Sequence, residues 1–142
     1  MGNTQFIIPM LSYEDGVAAI EWLCRVFGFV EKTKWIDDRG KLSHGEIEMN
    51  GQIIMLASPS PQYESPKHHR ETCSIAAKWS KTPYIINGVL VYVDNIENHF
   101  AKAKANGGTI LSELEFGGPG TRYRAEDLEG QRWMFMQKNN EE

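Results

Sequence analysis

His44 and Glu46 stand two residues apart in Ser43-His44-Gly45-Glu46-Ile47, the spacing that puts both side chains on one face of a β-strand. An imidazole beside a carboxylate can act as an acid/base pair, as two metal donors or as a polar anchor for a bound molecule; the plain alternative is a solvated strand-surface pair. Met55 and Met134 offer flexible thioethers, which suit either an apolar core or a binding surface that adapts to its guest, and with His44 they make a soft donor set for copper(I). His68-His69 and Cys73 lie in a stretch containing Pro59, Pro61, Pro66 and Pro83, with no fourth donor at a useful spacing, so an exposed mobile loop is expected there. Trp35 and Trp79 are candidate stacking surfaces or simple rim aromatics, and His99 falls within a helical pattern, partly exposed. Gly117-Gly118-Pro119-Gly120 does not join a strand to a helix as a phosphate loop must, and reads as a turn.

The elements that position these residues repeat. Gly51-Gln52-Ile53-Ile54-Met55-Leu56 matches Gly130-Gln131-Arg132-Trp133-Met134-Phe135 at an offset of 79 residues, which is also the offset between Gly28 and Gly107, two glycines that close apolar helices. The first unit reads as a strand over 5–11, a helix capped by Asp15 and closed by Gly28, then strands over 29–37, 41–49 and 52–58. The second reads as a strand over 88–93, a helix capped by Asp94 or Asn95 and closed by Gly107, and strands over 109–113, 121–126 and 131–137. Each unit is βαβββ; residues 59–84 connect them, with a short helix expected near 74–79. The two-residue turn at Asn50-Gly51 pairs Met49 with Gln52, so Glu46 faces Met55 and His44 faces Ala57. His44, Glu46, Ile53 and Met55 then share one side, while Ile47, Ile54 and Leu56 pack on the helix. The same parity groups Arg132, Met134 and Met136, with Tyr123 expected to face Met134, and groups Gly88, Leu90 and Tyr92.

Composition narrows the function classes. The 142 residues are 41% apolar and 24% charged with 13 Gly and 6 Pro, the make-up of a globular chain that buries roughly 70% of its unfolded surface. A net charge of -4, without a dense Lys/Arg stripe, argues against nucleic acid as partner. No apolar run approaches the ~18 residues a bilayer span requires, and residues 1–8 carry no signal-peptide pattern, so a soluble cytoplasmic protein without membrane partners is expected. Cys24 and Cys73 show no CxxC spacing; Cys24 falls on an apolar helix face and is expected to be a buried thiol.

Two βαβββ units ending in Asp127-Leu128-Glu129-Gly130-Gln131-Arg132-Trp133 resemble the vicinal oxygen chelate superfamily, the glyoxalase, bleomycin-resistance and extradiol dioxygenase group, whose hairpin reads D-P-[DE]-G-x-x-[WI]; Leu128 replaces the proline. Ala18 to Phe29, ending Val26-Phe27-Gly28-Phe29, is similar to that group's first helix, and Ser43 to Ile47 resembles the H-A-E-[LI] strand of one glyoxalase-like subgroup. The resemblance implies an α+β fold, one glyoxalase-like domain over 1–142 with modules at about 5–58 and 85–138, their curled mixed sheets enclosing a cavity. Metal-dependent members hold their ion with a residue of each first strand and each last strand. The corresponding positions here are Ile8, Met55, Gly88 and Met134, none of which offers the imidazole nitrogen or carboxylate oxygen that Ni²⁺, Zn²⁺, Mn²⁺ or Fe²⁺ takes. A shift of one residue in the first-strand positions brings in no His, Asp or Glu.

The expectation is therefore a metal- and cofactor-independent protein that holds a small organic molecule by sequestration or carriage, a drug or metabolite being the class the resemblance implies. Met55, Leu90, Tyr92, Tyr123 and Met134 would line the cavity, with His44, Glu46 and Arg132 as polar groups. The alternative is a lyase, isomerase or dioxygenase-type enzyme using His44 and Glu46. The resemblance also implies a homodimer.

Overall fold

A computed structural model describes residues 5–139, and the chain divides into two units, one ending at Ser65 and the other beginning at Pro66. In the first, β1 (Met10–Ser12) leads to α1 (Gly16–Phe27), followed by β2 (Val30–Ile36), β3 (Leu42–Met49) and β4 (Gln52–Ala57). In the second, the short helices α2 (Pro66–Thr72) and α3 (Ser74–Trp79) precede β5 (Gly88–Tyr92), α4 (Ile96–Ala105), β6 (Thr109–Ile110), β7 (Gly120–Glu126) and β8 (Arg132–Lys138). The sheets have orders β1-β4-β3-β2 and β5-β8-β7-β6. In each, the first strand runs parallel to the last and the other pairs are antiparallel. The repeat in the sequence is thus a repeat of topology: two four-stranded mixed sheets, neither closed on itself, in an α+β fold.

Local chemistry sets the helices. Asp15 accepts a hydrogen bond from the Ala18 amide at 3.1 Å and starts α1; Gly28 ends it in the left-handed conformation. Between them Ala19, Ile20, Leu23, Val26 and Phe27 are buried on one stripe, against which the sheet presents Ile47, Ile54 and Leu56. Each fully buried large side chain contributes about 1.5–3 kcal/mol. The fit is tight at Gly45, where a Cβ would come within 2.8 Å of Ile20 Cδ1 and 3.0 Å of Leu42 Cδ2, so a larger residue there must displace the tips of those two side chains. In the second unit Asn95 accepts from the Asn98 amide at 3.0 Å, and the Gln137 side chain accepts from the Ile96 amide at 2.9 Å, which together satisfy two of the donors at the start of α4. Ile96 and Ala103 are buried beneath it. Asn50 and Gly51 both adopt positive φ, 53° and 80°, as the two-residue turn requires, and the ladder follows with Met49 opposite Gln52 and Glu46 opposite Met55.

Four expectations are corrected. The first strand pairs only from Met10, not from residue 5. Pro9 has no N–H to donate, and the Gln5 side chain satisfies the β4 edge instead, accepting from the Ile53 amide at 2.6 Å and donating to its carbonyl at 3.0 Å. The strand expected over 109–113 stops at Ile110, because Ser112 Oγ rather than a backbone carbonyl receives the Arg124 amide, at 3.0 Å. His68 and His69 lie on α2, exposed, where a loop was expected; Pro66 sits at the first helical position, the one place its missing donor does no harm. Cys24 is only half-buried; burial, together with Glu31 and Glu21, still raises its thiol pKa.

Candidate functional site

Each unit turns one sheet face toward its long helix and the other face away from it. In the first unit Ile47, Ile54 and Leu56 go to α1, so alternation puts Glu46, Met55 and Met10, the parallel partner of Met55, on the open side. His44 joins them. Its Nε2 donates to Glu46 Oε2 at 2.9 Å, with the two side chains 30% and 26% exposed. Trp35, opposite His44 across β2 and β3, brings its ring to 5.2 Å from the imidazole, centroid to centroid. The irregular register beside Trp35 lets Leu42 turn back under α1, fully buried. A hydrogen-bonded imidazole and carboxylate beside an indole and two thioethers result.

In the second unit Trp133 and Phe135 go to the helix side. The open face carries Arg132, Met134 and Met136 from β8, Gly88, Leu90 and Tyr92 from β5, and Arg122, Arg124 and Glu126 from β7. Its centre is an ion triad. Glu126 accepts from both terminal nitrogens of Arg70 on α2, at 2.5 and 3.0 Å, and from Arg132 Nη2 at 2.8 Å. Glu126 holds the Arg70 guanidinium pKa above its ordinary value. The Arg132 and Glu126 side chains are 3% and 5% exposed, and Arg132 also donates to the carbonyls of Ser80 (2.9 Å) and Pro83 (3.3 Å). Arg132 is therefore the post on which residues 80–83 are tied to the sheet. Its Nε is buried and has no hydrogen-bond partner among the described residues.

Beside that post lies a cavity of about 290 Å³ lined by Tyr84, Ile86, Leu90, Arg124, Arg132 and Met134 among others. Leu90 and Met134 are parallel partners and face it together; Gly88, opposite Arg132, sits close to that strand, where a Cβ would lie a tight 3.0 Å from the Arg132 carbonyl. Arg124 sits opposite Met134 with its guanidinium carbon 5.9 Å from the centre of the Tyr84 ring.

Of the expected site residues, the first unit brings together His44, Glu46 and Met55, and the second brings together Leu90, Arg132 and Met134. Tyr92 shares their face at a distance from the cavity, opposite Met136, its ring 4.7 Å from Lys138 Nζ. Tyr123 does not join them. It pairs with Phe135, is fully buried on the α4 side, and shares a 2.7 Å hydrogen bond with His99 Nδ1; desolvation raises its phenol pKa, so the phenol stays neutral. The register is the reason: Asp127–Gln131 forms a five-residue turn that sets Glu126 against Arg132, so Arg124, not Tyr123, lies across from Met134. The sequence did carry a signal, the period-two run Arg122-Tyr123-Arg124-Ala125-Glu126. Arg70 and Tyr84, whose roles come from residues distant in sequence, had none.

The divalent-metal test fails on donor chemistry. Met55 and Met134 supply thioether sulfur, Gly88 no side chain and Ile8, which precedes β1, a hydrocarbon; among the described residues no three His, Cys, Asp or Glu are grouped so as to hold an ion.

The sequence profile described as the Glyoxalase/Bleomycin resistance protein/Dioxygenase superfamily matches residues 8–135. The chain belongs to that superfamily. A Mycobacterium bovis relative, itself an uncharacterised protein, is 28% identical over 134 residues, covering 91% of this chain and 80% of its own. Among solved structures, TioX from Micromonospora sp. ML1 superimposes with a TM-score of 0.67 at 26% identity, covering 97% of this chain and 99% of that one. TnmS3, an antibiotic-binding protein from Streptomyces sp. CB03234, superimposes with a TM-score of 0.68 at 13% identity, over 98% and 99% of the two chains. The two solved structures share the fold described above. No helix of the described residues is long and apolar enough to cross a membrane.

Proposed function

We propose that this superfamily member binds a small organic molecule without a divalent metal and acts by sequestering or carrying it. The observation that carries the reading is the cavity beside β5 and β8. It is close to the lower size of ligand pockets, roughly 300 Å³, and combines apolar walls from Leu90, Ile86 and Met134 with a few placed polar groups. The thioethers at the two last-strand positions support metal independence, since they serve a guest's apolar surface better than a hard ion. That the fold can serve such a purpose is illustrated by TnmS3, which binds an antibiotic.

Native mass spectrometry of freshly purified protein tests this. A retained organic molecule, no stoichiometric divalent metal and a melting temperature unmoved by chelator are expected; a bound divalent ion whose removal abolishes ligand binding overturns the reading. The same spectrum counts subunits, where the family resemblance implies two.

A second reading rests on the 2.9 Å contact between His44 and Glu46, which suits proton transfer in a lyase, isomerase or dioxygenase-type reaction. Glu46→Gln separates the two: loss of turnover with ligand affinity retained favours the enzyme.

A further inference from the structure

The cavity of the second unit has a charge asymmetry that points to its guest. Four guanidiniums, of Arg70, Arg122, Arg124 and Arg132, stand on or over the open face. Glu126 takes up Arg70 and Arg132, and Glu115 pairs with Arg122 at 3.5 Å. Arg122 is further held by the carbonyls of Gly117 and Gly120, both at 3.1 Å. Arg124 has no carboxylate partner among the described residues. Its backbone amide is used by Ser112, while its half-buried guanidinium rests near the Tyr84 ring and lines the cavity. In a chain of net charge -4 this leaves a local excess of positive charge where the walls are otherwise Leu90, Ile86 and Met134. The buried Arg132 Nε, which has no hydrogen-bond partner among the described residues, belongs to a side chain lining the same cavity.

A planar guanidinium with its fork unoccupied matches a carboxylate with two parallel hydrogen bonds, and an aromatic ring beside it offers a stacking surface for the remainder of the guest. We propose that this cavity selects a carboxylate-bearing aromatic molecule of one or two rings, its carboxylate on the Arg124 fork and its ring against Tyr84, Leu90 and Met134. The inference rests on the small-molecule-binding reading and adds the charge and shape of the ligand. Arg132 is a positioning residue in this scheme: tied to Glu126, Ser80 and Pro83, it holds the cavity wall in place while Arg124 meets the guest.

The test uses a matched pair of probes, 2-naphthoate and its neutral analogue 2-naphthamide, titrated into the full chain by calorimetry. A hydrogen-bonded ion pair in a half-buried site corresponds to about tenfold or more in affinity, so the wild type should hold the acid at least tenfold tighter than the amide. Arg124→Gln should abolish that preference, bringing acid and amide to equal affinity, and Arg124→Lys should retain part of it. Tyr84→Ala, at an exposed position, should weaken both probes; circular dichroism checks that each variant is folded. Equal affinity of the wild type for acid and amide, or a preference that survives Arg124→Gln, overturns the proposal and leaves the binding reading standing. Failure of both probes at millimolar concentration also overturns the proposal; the binding reading itself falls only if native mass spectrometry finds no retained molecule and a bound metal instead.

Discussion

On β3 the open face carries His44 and Glu46 as a pair about a quarter to a third exposed, while in the second unit the strands β7 and β8 carry Glu126 and Arg132 almost entirely out of water. The two sheets have the same strand order, so the difference arises from what covers them. In the second unit Arg70 of α2 and the carbonyls of Ser80 and Pro83 reach the sheet and complete the coordination of the buried charges. A pair of charges withdrawn from water is tolerated only with such saturation, and once saturated it locks its surroundings; a pair left at the surface stays available to a guest or a proton. One scaffold, repeated, thus yields a rigid wall in one copy and a chemically open surface in the other.

The largest expected effect breaks the wall. Glu126→Gln leaves the guanidiniums of Arg70 and Arg132 facing each other without the anion between them, and should cost about 3–5 kcal/mol in urea unfolding. Glu46→Gln, on the open copy, should cost less than about 1 kcal/mol, since exposed pairs are screened. Equal losses would mean that the two faces are energetically alike and that their contrast in burial has no consequence.

The same contrast recurs in two turns. Asp37 and Asp127 each open a five-residue turn in which the carboxylate accepts the amides two and four residues on: Arg39 and Lys41 at 2.9 Å, Glu129 and Gln131 at 3.0 Å. Gly40 and Gly130, at φ 82° and 91°, occupy the position that a side chain would strain. Asp127 is buried and additionally accepts from Trp133 Nε1 at 3.1 Å, whereas Asp37 lies in solvent. Asp127→Ala, which takes the carboxylate from a buried indole N–H, should lower stability by about 2–3 kcal/mol and shift the Trp133 fluorescence. Asp37→Ala should produce a clearly smaller drop in melting temperature.

These comparisons show which parts of the molecule were legible in its residues. Signals confined to a few neighbours survived folding intact. Asp15 and Asn95 do cap helices, Asn50-Gly51 does turn, and the offset that relates Met55 to Met134 is a true repeat of topology. Signals that need a partner distant in sequence were silent. Glu126 reads as one more surface acid until Arg70, 56 residues away, is brought over it, and Arg132 was expected as a ligand-orienting group because nothing local announced that Glu126 and two carbonyls would occupy it. Tyr123 failed for a third reason, turn length: the five-residue turn at Asp127 fixes the register that puts it under α4, and register decides the face of every residue beyond it.

The smallest expected effect sharpens the turn comparison through pH. Hydrogen bonds from the Lys41 and Arg39 amides hold the Asp37 carboxyl below its usual 3.8. A carboxyl whose pKa is lower folded than unfolded contributes stability that is present above the unfolded value and is lost as pH falls through the folded one. Asp37→Asn keeps an acceptor oxygen in the turn and removes only the ionisation. Wild type should therefore melt slightly above the variant near pH 6, the gap should close as pH drops below about 4, and added salt should narrow it at pH 6 because the group is exposed. A gap that stays constant from pH 6 to pH 2 would place the turn's preference for aspartate in its geometry rather than its charge, leaving burial and the indole hydrogen bond as what sets Asp127 apart from Asp37.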